Sequence, residues 1–341
     1  MLKRAAVLVT ASVLALISAT AAHAADMPGD PCTKPGEVKA LGQGTIECLN
    51  GSWAPSTKPV GGGGAPAGGT AAGPTGGKTA KIFSSTGVVE SQDTFGSAGK
   101  QVADPSALRL TNGKVRLISW VNPVGLRTAT STTAAGTTFV ADTTTPLATM
   151  GGQPRLVRID AKTVRLFYVA GGNINSAIST DEGLTFTPEG AVITTAQAGF
   201  EPGTLALVKK GGTYRAYFSN LEKPGERAPR VMKTATSTDM IHWTVGPQLS
   251  IAGSHPFPLI DSKGKIALYY AADGSSGYGI YVSTSKNGIN FGNTKYVIAA
   301  GGDPDIISAG KNKWQMYYGT EVSPAMGFGI FSAKSIGNPI P

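Results

Sequence analysis

An internal repeat places the strongest constraint on what this chain can fold into. A proline directly preceded by a polar residue recurs at intervals of 49, 48, 54 and 48 residues, at Pro105, Pro154, Pro202, Pro256 and Pro304. A strand-like segment rich in aromatic residues follows the prolines at a similar distance, as in Arg215–Phe218 and Gln315–Tyr318. Repeats of roughly 50 residues with four short strands each are typical of β-propellers. The sequence therefore predicts an all-β fold, a five-bladed β-propeller, over residues 81–341.

The residues before the repeats divide into three further segments. Residues 1–24 have the basic start, the apolar run Ala5–Ile17 and the small-residue end Ala22–Ala24 of a secretory signal peptide. Residues 25–59 form a small module, and residues 60–80, mostly Gly, Ala, Pro and Thr, form a flexible linker. We therefore expect an exported protein, periplasmic or secreted. No other stretch is long enough to be a transmembrane segment.

The small module contains the only two cysteines of the chain, Cys32 and Cys48. An exported setting favours a disulfide between them. The spacing of Cys32, Gly36, Cys48, Gly51 and Trp53 resembles a short module of bacterial surface and pilus-tip proteins. That resemblance implies association with the cell surface. The alternative is a disulfide-stapled peptide with no function of its own.

The charge of the chain argues against one class of partner. Lys and Arg number 30 and Asp and Glu number 21, and removal of Lys3 and Arg4 with the signal peptide leaves 28 against 21, a net charge of +7. The basic residues are scattered, many of them in hairpin turns, and they form no dense patch with aromatic residues. We therefore expect no nucleic-acid binding. Attraction to anionic cell-surface polymers and simple solubility remain the two interpretations.

The fifth repeat predicts how the ring closes. Only three strands follow Pro304 before the end of the sequence. The segment Lys81–Val89 precedes the first repeat and has the composition of a strand. Pairing of this segment with the fifth repeat would remove an exposed sheet edge.

Two other repeated features are interpreted as structural. Ser179–Phe186 matches the Asp-box turn of sialidases and related propellers, in which Asp accepts backbone N–H bonds and Gly takes a positive φ. Families with this turn carry it on the face opposite the active site. Arg116, Arg165 and Arg215 recur at one strand position, and we expect them to face solvent.

The residues that open the repeats carry the functional prediction. The inner strands of a propeller line a central channel, so their first residues converge at one mouth. Here those residues are Asp104, Gln153, Glu201, His255 and Asp303. Glycoside hydrolysis uses two carboxyl groups, one of them protonated, and crowding of carboxylates raises a pKa. The alternative is that each carboxylate caps the backbone of an ordinary strand-entry turn.

These openings resemble those of a superfamily of five-bladed glycosidases, the arabinanase/β-xylosidase and invertase/levansucrase enzymes. The resemblance is carried by Asp104-Pro105, Glu201-Pro202 and Asp303-Pro304, and it implies that Asp104 is the base or nucleophile and Glu201 the acid. Gln153 stands where the invertase-like branch has an Asp. His255 stands where the arabinanase-like branch has a Glu, so neither catalytic triad is complete. We expect Asp303 to replace the missing carboxylate by orienting the sugar or raising a neighbour's pKa.

Loops at the same mouth supply further candidates for substrate binding. Together with Gln153 and His255 these are Trp120, Arg127, Glu222, Asp273 and Tyr278. Trp120 would stack on a sugar, or alternatively belong to an aromatic core stripe. We expect no cofactor and no metal site, although channel oxygens are compatible with a central structural calcium ion.

Two functional hypotheses follow from the sequence. The first is an exported glycoside hydrolase that acts on a polysaccharide through carboxylates in the channel, which we expect to be exposed. The second is a non-catalytic propeller that binds a glycan or a protein partner at the cell surface.

Overall fold

The computed structural model describes residues 33–41, 44–49, 52–56, 78–95, 101–122, 124–142, 150–221, 230–323 and 327–341. The predicted signal peptide, Cys32, most of the linker and Glu222 lie outside these residues. The chain divides into two compact units, Met1–Pro66 and Ala67–Pro341. Within the described part of the chain, no helix has the length and apolar character needed to cross a membrane.

The first unit contains a three-stranded antiparallel sheet. Its strands are β1 (Val38–Leu41), β2 (Gly44–Leu49) and β3 (Ser52–Ser56), paired in that order. Cys48 is fully buried on β2, directly opposite Trp53 on β3. Because Cys32 is outside the described residues, the disulfide between Cys32 and Cys48 stays a prediction.

The second unit is built almost entirely of strands. Two strands precede the repeats, β4 (Lys78–Thr79) and β5 (Phe83–Glu90). The first repeat contains β6 (Gln101–Arg109), β7 (Val115–Asn122), β8 (Gly125–Ser131) and β9 (Phe139–Ala141). The second contains β10 (Gly152–Arg158), β11 (Val164–Ala170), β12 (Asn173–Ser179) and β13 (Thr187–Ile193).

The remaining repeats follow the same plan. The third contains β14 (Pro202–Lys210), β15 (Thr213–Asn220), β16 (Met232–Ser237) and β17 (Thr244–Gln248). The fourth contains β18 (Ser254–Ile260), β19 (Ile266–Gly274), β20 (Gly277–Ser285) and β21 (Gly292–Ala299). The fifth contains β22 (Gly302–Gly310), β23 (Lys313–Ser323) and β24 (Gly327–Ser335). Two single-turn helices, Gln92–Phe95 and Thr195–Ala198, complete the described elements.

Each repeat forms an antiparallel meander, and the meanders are arranged in a cycle. The second and third repeats are separate four-stranded sheets, and a single residue pair, Phe328 with Gln101, joins the fifth and first repeats into one larger sheet. The first strands contact one another in the order β6, β10, β14, β18, β22 and back to β6. This arrangement is consistent with a β-propeller.

The predicted closing strand is confirmed, but the linker was predicted to extend too far towards the first repeat. Strand β5 pairs antiparallel with β24, so the segment before the first repeat supplies the outer strand of the fifth. The linker was expected to reach residue 80, but Lys78 and Thr79 already pair with Lys295 and Tyr296 of β21. This short parallel pairing uses backbone groups, so the side chains of the segment do not indicate it.

The core lies between neighbouring sheets. Separate apolar clusters fill the interfaces of repeats one and two, two and three, three and four, four and five, and five and one. The second strands supply their largest side chains, since Tyr217, Tyr269 and Tyr317 are fully buried. Burial of aromatic side chains dominates the energetics of such interfaces. The repeated aromatic segments of the sequence therefore mark the contacts that hold the cycle together.

Two of the three repeated arginines are buried, contrary to the expectation from the sequence. Arg116 and Arg165 are each only 8% exposed. Arg116 donates to the carbonyl of Glu182 at 2.9 Å, and Arg165 donates to the carbonyl of Asp239 at 3.1 Å. Arg215 makes the equivalent bond to Asn287 at 3.0 Å. Each arginine thus contacts the turn between the third and fourth strands of the next repeat.

Those turns show the hydrogen bonds expected of them. Asp181 Oδ1 accepts from the backbone N–H groups of Leu184 and Thr185 at 3.0 and 2.9 Å, and Gly183 has a φ of 81°. The turn follows β12, so it lies at the end of the sheet opposite the start of β10. The turns and the repeat openings therefore occupy opposite ends of the strands.

Candidate functional site

The residues that precede the repeat prolines share an unusual backbone conformation. Asp104, Gln153, His255 and Asp303 have φ values of 53°, 52°, 50° and 54°, in the left-handed region that non-glycine residues rarely adopt. Glu201 is the exception, since its φ is not positive. The strand pairing slips across the opening residue in repeats one, two, four and five, whereas in the third repeat it slips after Glu201, between Pro202 and Leu205. Bulges of this kind redirect side chains and commonly lie beside functional sites.

The redirected side chains meet around His255. Its Nδ1 lies 3.0 Å from Oδ1 of Asp303, and its Nε2 lies 3.5 Å from Oδ1 of Asp104. The Nδ1 contact is short but poorly aligned, so this buried nitrogen has no well-formed hydrogen bond. Residues from the first, fourth and fifth repeats thus form one cluster, which we call the channel cluster: Asp104, His255 and Asp303.

Gln153 connects the channel cluster to the third repeat. Its Nε2 lies 3.1 Å from His255 Nε2, while its Oε1 accepts from the backbone N–H of Thr204 at 2.7 Å and from the Thr204 hydroxyl at 3.0 Å. A side-chain carbon at Gly203 would clash with Gln153 Oε1. Glycine at position 203 therefore makes room for the Gln153 amide.

A second polar layer lies two residues further along the first strands. Arg155 donates to the carbonyls of Pro105 at 2.7 Å and Pro304 at 3.1 Å, and its Nη1 lies 3.6 Å from Asp305 Oδ2. Ser106 donates to Asp305 at 3.0 Å. Burial raises the pKa of Asp305 to about 6, although the Arg155 charge and the Ser106 hydrogen bond act in the opposite direction. This layer holds the bulges of repeats one and five beside each other.

Burial and a neighbouring carboxylate raise the pKa of Asp104. Burial is the main cause and the neighbouring Asp303 carboxylate the second, and together they raise the pKa of Asp104 from 3.8 to about 7. A proton on His255, if present, and the Arg155 guanidinium act in the opposite direction. A carboxyl group with this pKa is protonated in a large fraction of molecules at neutral pH. It can therefore act as a proton donor under conditions where ordinary carboxyl groups are ionised.

The cluster is less exposed than the sequence suggested. The side chains of Asp104 and Asp303 are each 14% exposed and that of His255 is 8% exposed. They lie where neighbouring first strands contact one another. One nitrogen or oxygen atom from each of the three side chains lies within 4.8 Å of the others.

Glu201 occupies a different place from the one its repeat position suggests. Its side chain lies against Gly172, in the hairpin between β11 and β12, since a carbon added to Gly172 would lie 3.8 Å from Glu201 Cγ. The carbonyl of Glu201 accepts from Leu221 N–H at 2.7 Å. Glu201 thus lies at the same end of the strands as the channel cluster, on the side of repeats two and three.

The predicted substrate-binding residues are dispersed. Trp120 is partly buried and packs in the apolar cluster of Ile118 and Leu126, with its ring beside Gly152. The hydroxyl of Tyr278 lies close to Gly302, next to Asp303, whereas Asp273 is exposed on β19. Arg127 pairs with Ser119 across β7 and β8, on the sheet face where Ser119 bonds Glu90. Glu222 is outside the described residues, so its predicted role stays a prediction.

Sequence reasoning missed the second layer and the partner of Gln153. Ser106, Arg155 and Asp305 each follow an opening residue by two positions. That shared offset marks the polar layer only in repeats one, two and five, since the same offset gives Gly203 and Phe257 in the other two. Nothing comparable marks Thr204, because its role depends on how Gln153 folds across a repeat boundary.

The comparisons with known proteins show similarity at the level of fold. No protein-family model matches the sequence, and no curated protein matches it. An endo-1,4-β-xylanase from Bacteroides thetaiotaomicron VPI-5482 superposes with a TM-score of 0.54 and 16% identity, over 68% of this chain and 89% of the enzyme. A glycosyl hydrolase from Bacteroides ovatus (TM-score 0.48, 17% identity) matches 68% of this chain and 84% of its own. A protein of unknown function from Dyadobacter fermentans DSM 18053 has a TM-score of 0.49 and 12% identity, over 76% of this chain and 96% of its own.

At these identities the similarity concerns the fold alone. The chain therefore shares a β-rich fold with the endo-1,4-β-xylanase.

Proposed function

We propose that this protein is an exported, five-bladed β-propeller that hydrolyses glycosidic bonds in a polysaccharide. The propeller would comprise residues 81–341 together with β4, and residues 25–59 would attach it to the cell surface. The cyclic contacts of the first strands and the five interfacial apolar clusters support the blade number. The fold shared with an endo-1,4-β-xylanase supports a glycan as substrate.

One observation carries the proposal of catalysis. Side chains from three separate repeats meet in a buried cluster in which the pKa of Asp104 is raised to about 7. A raised carboxyl pKa beside an ionised carboxylate is the arrangement that glycosidases use to protonate a leaving group. The left-handed backbone conformation at four opening positions costs folding free energy. Strained backbone of this kind is typical of functional sites.

The raised pKa changes the roles that the resemblance implied. In our proposal Asp104 is the proton donor, Asp303 raises the pKa of Asp104, and Glu201 is the second carboxyl group. The separation of Asp104 and Glu201 decides the stereochemistry. About 5 Å implies retention through a covalent intermediate, and roughly 6.5–9.5 Å implies inversion through a water molecule.

A second candidate function has its own support. The channel cluster is largely buried, and His255 fills the space between the two carboxylates. A non-catalytic propeller that binds a glycan or a protein at this mouth is compatible with such a packed centre.

A screen of the mature protein separates the two candidates. Arabinan, xylan, fructan and aryl-glycosides are incubated with the protein, and released reducing ends are measured alongside binding by calorimetry. The proposal of catalysis expects turnover of at least one substrate class. Binding without turnover would support the second candidate, and neither binding nor turnover would contradict both for these glycans.

A further inference from the structure

The orientation of Gln153 fixes the protonation of His255. A backbone N–H can only donate a hydrogen bond, and Thr204 N–H lies 2.7 Å from one end of the Gln153 amide. That end must therefore be the carbonyl oxygen, so the amide nitrogen is the atom that lies 3.1 Å from His255 Nε2. Since an amide N–H₂ group has no lone pair to offer, Nε2 of His255 must accept the bond. The backbone N–H of Thr204 therefore determines which end of the Gln153 amide is oxygen and which is nitrogen.

From this geometry we infer that Gln153, held by Thr204, keeps His255 neutral with its proton on Nδ1, directed at Asp303. Gln153 was predicted from the sequence to bind substrate. Its oxygen is already occupied by the two donors of Thr204, and one of its two N–H bonds by His255. Gln153 is therefore a positioning residue that acts through the imidazole.

The neighbouring groups are consistent with this assignment. Nδ1 lies 3.0 Å from an Asp303 oxygen, so an Nδ1 proton has an acceptor near it, although the bond is bent. Asp104 Oδ1 lies farther from Nε2, at 3.5 Å, so the Gln153 amide at 3.1 Å is the donor to the single lone pair of Nε2. The nearby cations are engaged elsewhere: Arg155 pairs with Asp305, and Arg230 donates to Ser254 at 2.6 Å.

The inference deepens the proposed function and, in its chemical consequence, rests on it. A positively charged His255 would stabilise the ionised form of Asp104 and so lower its pKa. By favouring the neutral imidazole, Gln153 keeps the proton on Asp104. An amide in the second repeat thus helps to maintain the protonated acid, at the position where the resemblance led us to expect a carboxylate.

Nuclear magnetic resonance of the histidine side chains tests the inference without a substrate. Protein labelled with ¹⁵N-histidine is measured at pH 7.5 by long-range ¹H–¹⁵N correlation, which distinguishes a protonated from an unprotonated ring nitrogen. His255 is expected to show an unprotonated Nε2 and a protonated Nδ1. A His255→Gln variant assigns the signal, and His242, exposed on a distant turn, serves as the internal control. An Nε2–H tautomer or an imidazolium in the wild type would overturn the inference.

Variants of Gln153 and Thr204 supply the matched comparison. Gln153→Glu offers a carboxylate to both Thr204 and His255, so the proton is expected to move to Nε2. Thr204→Val removes the hydroxyl but keeps the backbone N–H, so the wild-type tautomer should persist. An unchanged His255 signal in a folded Gln153→Glu protein would count against Gln153 as the cause.

If Gln153→Glu does not fold, the wild-type spectrum still decides the tautomer, and Gln153→Met, which cannot donate to Nε2, replaces it as the variant. In the Met variant the His255 Nε2 signal is expected to shift as its hydrogen bond is lost. An unshifted signal would contradict the inference. The spectra test only the protonation of His255, so a negative glycan screen would not change their result. A different tautomer would contradict this inference, while hydrolysis by Asp104 and Glu201 would still be tested by the screen.

Discussion

At the scale of single residues, Asp104 illustrates how burial and charge produce a functional group. Its side chain is 14% exposed, and its own backbone is left-handed just before a proline. The Asp303 carboxylate lies on the other side of the His255 imidazole. Burial and the Asp303 charge raise its pKa to about 7, so folding favours its protonated form. An asparagine at this position has nearly the same shape and resembles the protonated acid, but cannot release a proton.

Asp104→Asn is therefore expected to remove activity without loss of stability. Turnover should fall by about 10²–10⁴-fold, the usual contribution of a general acid. The melting temperature at pH 8 should be equal to or higher than that of the wild type, because the variant no longer ionises a buried group. Calorimetric melting and a reducing-end assay measure both effects. A destabilised variant, by roughly 0.5–2 kcal/mol as for loss of a backbone cap, would favour a structural role instead.

Part of this site could be predicted from the sequence. The repeat prolines identified Asp104, His255 and Asp303 as residues of one locus, because equivalent positions of a cyclic repeat converge. The contacts within the locus could not be predicted, since they depend on a bulge that turns each side chain by an amount that no local signal specifies. Glu201 shows the limit: it opens a repeat like the others but lacks the positive φ and lies against Gly172.

At the scale of elements, side chains that cross from one repeat to the next hold the sheets together. Arg165 donates to the carbonyl of Asp239 in the following repeat and to both carboxylate oxygens of Glu189 at 3.0 and 2.9 Å in its own. In the fifth repeat Gln315 takes this position and donates to Gly136 at 3.0 Å. The sequence revealed this periodicity, but exposure was assigned wrongly because the partners are backbone carbonyls, which leave no mark in the sequence.

Arg165→Met is expected to lower stability. It keeps much of the apolar stem and removes the guanidinium, so Glu189 and the Asp239 carbonyl lose their donor. Hydrogen bonds to charged groups contribute about 1.5–3 kcal/mol each, and a net loss in that range is expected in urea unfolding. Lys162→Met, at an exposed position on the preceding turn, is the control. Equal midpoints for the two variants would show that the cross-repeat contact contributes little.

The closing strand contains a further buried acid. Glu90 lies at the end of β5, is 1% exposed, and accepts from Ser119 at 2.6 Å, while its other oxygen has no hydrogen-bond partner. Burial raises the pKa of Glu90 from 4.5 to about 8. The folded state therefore favours the neutral acid, and the stability that Glu90 contributes is present below about pH 4.5 and is lost as the pH rises through 8.

Glu90→Gln should abolish this part of the pH dependence. The variant and the wild type should have similar melting temperatures near pH 4.5, and the variant should become the more stable of the two as the pH approaches 8.5. The difference is on the order of a few kcal/mol, since one pKa unit corresponds to about 1.4 kcal/mol. Glu321→Gln, at an exposed rim position, is the control. A difference between variant and wild type that stays constant across this range would contradict a buried neutral Glu90.

At the scale of the whole molecule, closure of the cycle brings the functional residues together. Asp104 belongs to the first repeat and Asp303 to the last. Ser106 and Asp305 of the same two repeats are 199 positions apart in the sequence, yet a hydrogen bond joins them. Strand β5 and the single pair of β6 with β24 complete the same junction. The channel cluster therefore exists only when the two ends of the second unit meet.

The pH dependence of kcat/KM on the best substrate of the screen tests the central claim most directly. If Asp104 is the proton donor, kcat/KM of the wild type should fall above about pH 7, with an apparent pKa that belongs to the coupled cluster. Because the Asp303 charge helps to raise that pKa, Asp303→Asn should shift the alkaline limb to lower pH while the protein remains folded. An alkaline limb that stays in place in Asp303→Asn, or one that lies near the pKa of an ordinary carboxyl group in the wild type, would contradict the account.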